Sequence, residues 1–257
     1  MGYFYFDESI QQRAGFIVGV FVYSETDLTP HVFQTIAAAG MQPGLDEFKS
    51  GARMQGCPEN AIAREELRGL LQGLRIGIVL IPAGRRGDLG AEAIAGLDKI
   101  IRANQLTTSA HRIYFDEGIT VGSSLVEKFC AQIGVPCEIL LGQDSKLVGG
   151  IQLADLAAHS IGVMILEHLG HLKKTVKAGE KLGYDPDLDI ELGFELWASL
   201  RYAFFKASQP IPAPENLLGD LMFDVENYGL HVAPSCDDAL RAAALERFGQ
   251  CYLGCIH

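Results

Sequence analysis

The sequence predicts an α/β protein built on a mixed sheet, with helices on both faces of the sheet and a helical cap at the C-terminal end. Apolar stretches of strand composition alternate with stretches of helical periodicity along most of the chain. The first two strand-like stretches, residues 2–6 and 15–23, are joined by a short polar segment, as in an antiparallel hairpin. Beyond about residue 182 the strand pattern fades. Alternation opened by a hairpin is typical of a mixed sheet covered by helices.

After the hairpin, helices and strands are predicted in turn. Gly40 and the Pro43-Gly44 turn end the first helix, and Pro58 occupies the first-turn position of the second. Ile76–Ile81 is continuously apolar, as expected of a strand covered on both faces. The elements are expected, in order, over 30–39 (helix), 46–50 (short strand), 58–73 (helix), 76–81 (strand), 89–104 (helix), 112–115 (strand), 121–133 (helix), 137–141 (strand) and 149–168 (helix).

The C-terminal part of the chain is predicted to be helical. Helices are expected over 192–206 and 237–248, on either side of the proline-rich stretch Pro210–Pro214. We therefore expect one domain over residues 1–181 and a helical extension over residues 182–257 that packs on it.

Composition limits the class of protein. A chain of 257 residues with 48% hydrophobic residues can bury a full core. It contains no uninterrupted apolar stretch of about 18 residues, and no basic segment followed by an apolar one at its start. The six cysteines are scattered without a C-x-x-C pair, which is typical of reduced thiols. We expect a cytoplasmic protein without a membrane span.

Charge is unevenly distributed. The net charge of −11 argues against a protein that coats nucleic acid indiscriminately. Residues 49–112 nevertheless carry ten Lys and Arg against six Asp and Glu, whereas residues 182–257 carry four against twelve. A polyanion would approach the middle segment, unless its basic residues only form a solvated helix face and loop. The basic residues concerned include Lys49, Arg53, Arg64, Arg68, Arg85 and Arg86.

Three acidic residues stand beside or within apolar segments. Asp7 follows the aromatic run Tyr3–Phe6, Asp116 follows Ile113–Phe115, and Asp155 interrupts an apolar helix. A buried carboxylate is costly unless it is paired or holds a cation. Acids delivered by two strand ends and one helix suit a site for two divalent ions, Mg²⁺ or Mn²⁺, of the kind that hydrolyses phosphodiesters. Asp7, Asp116 and Asp155 are therefore our candidate metal ligands and catalytic residues.

Neighbouring polar residues extend this candidate site. Gln152 and His159 lie at helical spacing on the same face as Asp155. Just before that helix, Asp144 is a fourth candidate acid, and Ser145 or Lys146 would hold a phosphate.

Structural interpretations of these acids stay open. Asp7-Glu8-Ser9 would also suit the turn of the hairpin, and Asp116-Glu117-Gly118 a turn that caps the next helix. Asp155 would also suit a buried ion pair with Lys49 or Lys146. Asp144 or Ser145 would equally serve as a helix N-cap.

Taken in order, these motifs resemble a known family. Asp-Glu-Ser at 7–9, Tyr-Phe-Asp-Glu at 114–117, and Asp-Ser-Lys at 144–146 with Ile-Gln-Leu-Ala-Asp-Leu at 151–156 resemble the uncharacterised family called domain of unknown function 3800. Glu47-Phe48-Lys49 is similar to the short Glu-x-Lys element of that family. On this resemblance Glu47 joins the catalytic candidates, and Lys49 joins Ser145, Lys146 and Gln152 as candidate substrate-binding residues. A surface strand is the alternative for Glu47 and Lys49.

The resemblance implies a ribonuclease-H-like fold with an acidic, metal-dependent nuclease centre. In that fold the second acid follows the strand beside the first one. We expect Ile76–Ile81 to be that neighbouring strand, although it ends in Pro82-Ala83-Gly84 without an acid. Two hypotheses follow: a two-metal nuclease with nucleic acid as its substrate, or a catalytically inactive ribonuclease-H-like binding or regulatory module, for which a homodimer is an open alternative.

Overall fold

The computed structural model describes residues 1–52, 56–179, 185–212 and 221–255 of the chain. The strands are β1 (Gly2–Gln11), β2 (Phe16–Ser24), β3 (Arg75–Pro82), β4 (His111–Asp116), β5 (Cys137–Gln143), β6 (Thr175–Lys177), β7 (Asp189–Glu191), β8 (Met222–Asp224), β9 (Leu230–Val232) and β10 (Gln250–Tyr252). The helices are α1 (Thr29–Ala38), α2 (Pro58–Gln72), α3 (Leu89–Ala103), α4 (Ser123–Gln132), α5 (Gly149–His168), α6 (Leu192–Leu200) and α7 (Asp238–Phe248).

A six-stranded mixed sheet forms the centre of the fold, with strand order β5-β4-β1-β2-β3-β9. Strands β1, β2 and β3 are antiparallel neighbours, whereas β4 runs parallel to β1 and β5 parallel to β4. The predicted fold class, a mixed sheet opened by an antiparallel hairpin, is confirmed. The expected position of Ile76–Ile81 is wrong, because β3 pairs with β2 and the second neighbour of β1 is β4.

Helices cover both faces of this sheet. Helix α5 packs on β1 so closely that a Cβ atom added at Gly150 would lie 2.4 Å from the ring of Tyr5. Helix α3 packs on the opposite face, where Leu89 and the ring of Phe6 both lie against Gly19. By length and composition α5 could cross a membrane, but 83% of its apolar window is buried inside the protein. Its apolar residues are thus accounted for by the core.

Strand β1 is longer than predicted. It pairs with β2 up to Gln11↔Phe16, so Asp7-Glu8-Ser9 lies inside the strand and does not form the hairpin turn. The turn follows at Gln12–Ala14 and ends at Gly15, whose φ of 73° is unfavourable for other residues. Pairing of β1 with β4 stops earlier, at Phe6↔Phe115. Asp7 therefore lies where β1 loses one of its two neighbours.

The short strand predicted over 46–50 is also wrong. The backbone amides of Phe48 and Ser50 bind side-chain oxygens of Gln152 and Asp155 on α5, instead of a neighbouring strand. This segment is a loop held against α5, and we call residues 47–50 the Glu47 loop.

The C-terminal part is not the purely helical cap that was predicted. Helices α6 and α7 are present, but β9 joins the main sheet beside β3, and β8 pairs with β10. Helix α6 ends at Leu200, short of residue 206, because the chain turns into extended backbone that lets the amide of Phe205 bind Ile76 O at 2.9 Å. The predicted domain boundary at residue 181 and part of the stretch 210–214 lie outside the described residues.

Candidate metal centre

The register of β1 and β4 brings Asp7 and Asp116 together. Phe6 and Phe115 are partners in this parallel pair, and each acid is the next residue along its strand. Because side chains alternate across a strand, both acids point to the face that carries Tyr5 and Tyr114, whose rings stack at 5.2 Å. This is the face on which α5 packs.

Asp155 reaches the same place from α5. Its two carboxylate oxygens accept hydrogen bonds of 2.7 Å from the backbone amide and the hydroxyl of Ser50. In the described part of the chain neither Lys49 nor Lys146 forms a salt bridge with Asp155. We call Asp7, Asp116 and Asp155 the acidic cluster.

Burial and neighbouring charges raise the pKa values of Asp7 and Asp116. Asp7 is 6% exposed, and burial, followed by the charges of Asp116 and Asp155, raises its pKa to about 9. Burial also raises the pKa of Asp116 to about 6, although the nearby Lys49 lowers it. Ionising all three carboxylates at once is therefore unfavourable unless positive charge is supplied between them.

The Glu47 loop supplies part of that charge. Lys49 Nζ lies 2.6 Å from Glu47 Oε1, an atom that also accepts a hydrogen bond from the hydroxyl of Ser145. Burial alone would lower the pKa of Lys49, but the bond to Glu47 and the charges of Asp155 and Asp7 leave it raised. Glu47 and Lys49 thus border the acidic cluster as a pair.

Gln152 is buried beneath this loop and connects it to the turn before α5. Its Oε1 accepts from the amide of Phe48 at 2.9 Å, and its Nε2 donates to Ser145 O at 2.8 Å. Both ends of the side-chain amide are engaged by backbone, which suits Gln152 to holding the loop and the turn in place.

Asp144 stabilises its own turn. Its Oδ1 accepts from the amide of Lys146 at 2.8 Å, and its carbonyl accepts from Leu147 and Val148. Residue Val148 occupies the N-cap of α5, so neither Asp144 nor Ser145 is that cap. The sequence Glu117-Gly118 does form a turn after β4, but the N-cap of α4 is Gly122.

Three residues near the acidic cluster were not singled out as site residues from the sequence. Ser50 binds Asp155 through two hydrogen bonds, and Nη2 of Arg64 donates to the carbonyl of Ser50. Glu8, whose side chain is 9% exposed, pairs with Arg86 at 2.9 Å and has a second, buried oxygen without a partner among the described residues. The only sequence signal for Arg64 was its place in the basic middle segment. Arg53, another basic residue of that segment, lies outside the described residues.

His159 lies one turn beyond Asp155 on α5. Burial, and then the charge of Arg64, lower the pKa of its imidazole, while Asp155 acts in the opposite direction. The imidazole is thus near Asp155, in keeping with the helical spacing, and also near Arg64, which the spacing did not predict.

The donor chemistry of the acidic cluster fits Mg²⁺ or Mn²⁺. Carboxylate oxygens are the ligands these hard cations prefer, and a cation would offset the repulsion that raises the pKa of Asp7. Across the described ranges, no three His, Cys, Asp or Glu side chains are already close enough together to form a metal site. The carboxylates would therefore have to draw together around an ion.

The chain has no match among protein-family models or curated proteins. The resemblance to domain of unknown function 3800 thus depends on the motifs quoted above. Among solved structures it is similar to an RNase HII from Archaeoglobus fulgidus, solved in complex with PCNA, at 13% identity and a TM-score of 0.37 over 73% of this chain and 84% of that one. Similarity at this level carries no argument about function. The structure itself shows a mixed sheet, in which an antiparallel β1-β2-β3 unit is flanked by β4 and β5, both parallel to β1.

Proposed function

We propose that this protein is a metal-dependent nuclease that hydrolyses phosphodiester bonds of RNA or DNA with two Mg²⁺ or Mn²⁺ ions. One observation carries the proposal. Three carboxylates from β1, β4 and α5 share one face of the sheet, and their burial and mutual repulsion raise the pKa of Asp7 to about 9. Strongly shifted pKa values cluster at functional sites, and a divalent cation between these carboxylates would offset their repulsion.

Asp7, Asp116 and Asp155 would hold the ions, which supply an activated water and stabilise the leaving oxygen. The sheet fixes the backbone of Asp7 and Asp116, and Ser50 binds both oxygens of Asp155, so the side chains would have to turn to reach the ions. Glu47 orients the ammonium group of Lys49, which is half exposed and would contact a substrate phosphate. Gln152 keeps the Glu47 loop against α5.

The test uses end-labelled single-stranded and duplex DNA, single-stranded RNA and an RNA–DNA hybrid, each incubated with the protein and Mg²⁺ or Mn²⁺. We expect cleavage of at least one substrate that EDTA abolishes and that Asp7→Asn and Asp116→Asn each reduce at least 100-fold. Asp98→Asn, which removes an exposed acid on α3, is the matched control and should cleave normally. Equal cleavage by all variants would reveal a contaminating nuclease.

A second candidate is a catalytically inactive ribonuclease-H-like binding or regulatory module. The acidic C-terminal part, with four Lys and Arg against twelve Asp and Glu over residues 182–257, favours it because nucleic acid is repelled from such a surface. A manganese titration followed by thermal unfolding separates the two, since an ion that binds only the folded state raises the melting temperature by mass action. A melting temperature unaffected by manganese would favour the inactive module.

A further inference from the structure

Arg64 lies on α2, next to the Glu47 loop. Its Nη2 atom donates to the carbonyl of Ser50, the residue that holds Asp155 through two hydrogen bonds. The charges of Arg64 and Asp155 interact, which places the guanidinium beside the cluster.

The guanidinium has an unused donor. Its Nε atom is buried and has no hydrogen-bond partner among the described residues. Arginine stays charged at any pH that a folded protein experiences, and a buried donor without an acceptor is costly. Because Nε is buried, a ligand from outside the chain would bind through the terminal nitrogens of the guanidinium.

Three other basic residues of the middle segment, residues 49–112, are already paired. Lys49 binds Glu47, Arg86 binds Glu8 on the opposite face of the sheet, and Arg68, one turn along α2 from Arg64, binds Glu195 and Glu65. Arg64 forms no salt bridge in the described part of the chain. Lys146 likewise forms no salt bridge among the described residues, but only Arg64 is bonded to Ser50, the residue that holds Asp155.

We propose that Arg64 binds a backbone phosphate of the substrate next to the phosphate that is cleaved, so that the strand leaves the acidic cluster over α2. This inference depends on the proposed nuclease function and specifies the side on which the substrate strand leaves the acidic cluster. A guanidinium suits the role because its planar set of donors binds two phosphate oxygens at once. Arg68, one turn further along α2, is already bound to Glu65 and Glu195, so Arg64 is the one phosphate contact assigned to this helix.

The first experiment measures binding of a fluorescein-labelled oligonucleotide by anisotropy, at several salt concentrations and with Ca²⁺ as the cation, with the integrity of the probe checked on a gel. Arg64→Gln should reduce the slope of log K against log salt by about 0.7–0.9, the loss of one phosphate contact. Arg102→Gln removes the same charge from an exposed site on α3 and should keep the wild-type slope. An Arg64→Gln slope equal to wild type would overturn the proposal.

The second experiment depends mainly on the wild-type protein. Single phosphates of the oligonucleotide are replaced in turn by neutral methylphosphonates, and wild-type affinity is measured for each. We expect one position next to the cleaved bond to lose about tenfold, and Arg64→Lys to lose less at that position than wild type does. Uniform losses at all positions would contradict the assignment.

Failure of this inference can be distinguished from failure of the proposed function. If wild-type protein neither binds nor cleaves any oligonucleotide, both are overturned. If it cleaves, but Arg64→Gln lowers only the melting temperature and leaves the salt slope unchanged, Arg64 only supports the Ser50 carbonyl and the phosphate assignment alone is lost.

Discussion

Replacing Asp7 with asparagine should remove a pH dependence from the stability of the metal-free protein. The pKa of Asp7 is raised to about 9 in the folded state, from 3.8 for a free aspartate. Between these values the folded protein holds a proton that the unfolded chain releases. The contribution of Asp7 to stability is therefore fully present at low pH and is lost as the pH rises towards 9.

The size of the effect follows from the proton count. If only the folded state retains one proton, the free energy of unfolding falls by about 1.4 kcal/mol for each unit by which the pH rises. For a chain of this length, raising the pH from 7 to 8 should lower the melting temperature by about 3–5 °C. Asp7→Asn keeps the acceptor for the Glu8 amide, which binds Asp7 Oδ1 at 2.7 Å, and removes the titrating group. The variant should show little change over the same interval.

The assay is thermal unfolding of both proteins in EDTA at pH 7, 7.5 and 8. Histidine and cysteine titrations affect both proteins equally, so the difference between the two pH slopes reports Asp7. Parallel slopes would refute the reasoning and show that Asp7 is ionised without a cation. In the presence of Mn²⁺ the wild-type dependence should reverse, because an ion competes with the proton for the carboxylate.

Three further substitutions test the surroundings. Asp155→Asn should change the metal-free free energy of unfolding in urea by no more than about 1 kcal/mol, because a weakened hydrogen bond is offset by less repulsion. The variant should lose manganese stabilisation and cleavage. A much larger destabilisation would assign Asp155 a structural role. Gln152→Leu should cost about 1–3 kcal/mol in the same assay by leaving the buried amide of Phe48 without an acceptor, and an unchanged midpoint would show that the loop is held by other contacts. Gly150→Ala should cost about 1–3 kcal/mol because its new methyl group would overlap the ring of Tyr5, and wild-type stability would mean that α5 shifts freely on the sheet.

Local patterns were enough to predict most individual elements. Ile76–Ile81 and α5 were predicted from their apolar character, which indicates burial; the structure buries all of Ile76–Ile81 and most residues of α5. The loop at 47–50 was mistaken for a strand because its amides bind side chains more than 100 residues away. Strand β9, at three residues, is too short to show a period.

The order of the strands in the sheet was harder to predict than the individual strands and helices. An apolar strand fits next to several others, so periodicity did not reveal that β3 lies beside β2 and β4 beside β1. The acids of the candidate site could be selected from the sequence because they stand in or beside apolar segments, where burying a carboxylate is costly. Ser50 and Arg64 could not be selected on the same ground, because polar residues within polar segments have the composition of an ordinary surface.

The Glu47 loop also has a consequence for how the chain can be divided. Its anchors, Gln152 and Asp155, bind Phe48 and Ser50 across 104 and 105 residues of sequence. Contacts of such long range require a large loop to be closed, and folds rich in them form slowly. An N-terminal fragment that ends before α5 would retain the β1–β2 hairpin, but it would lose both anchors of the loop and one of the three acids. The candidate centre is thus a property of the whole sheet with α5 in place.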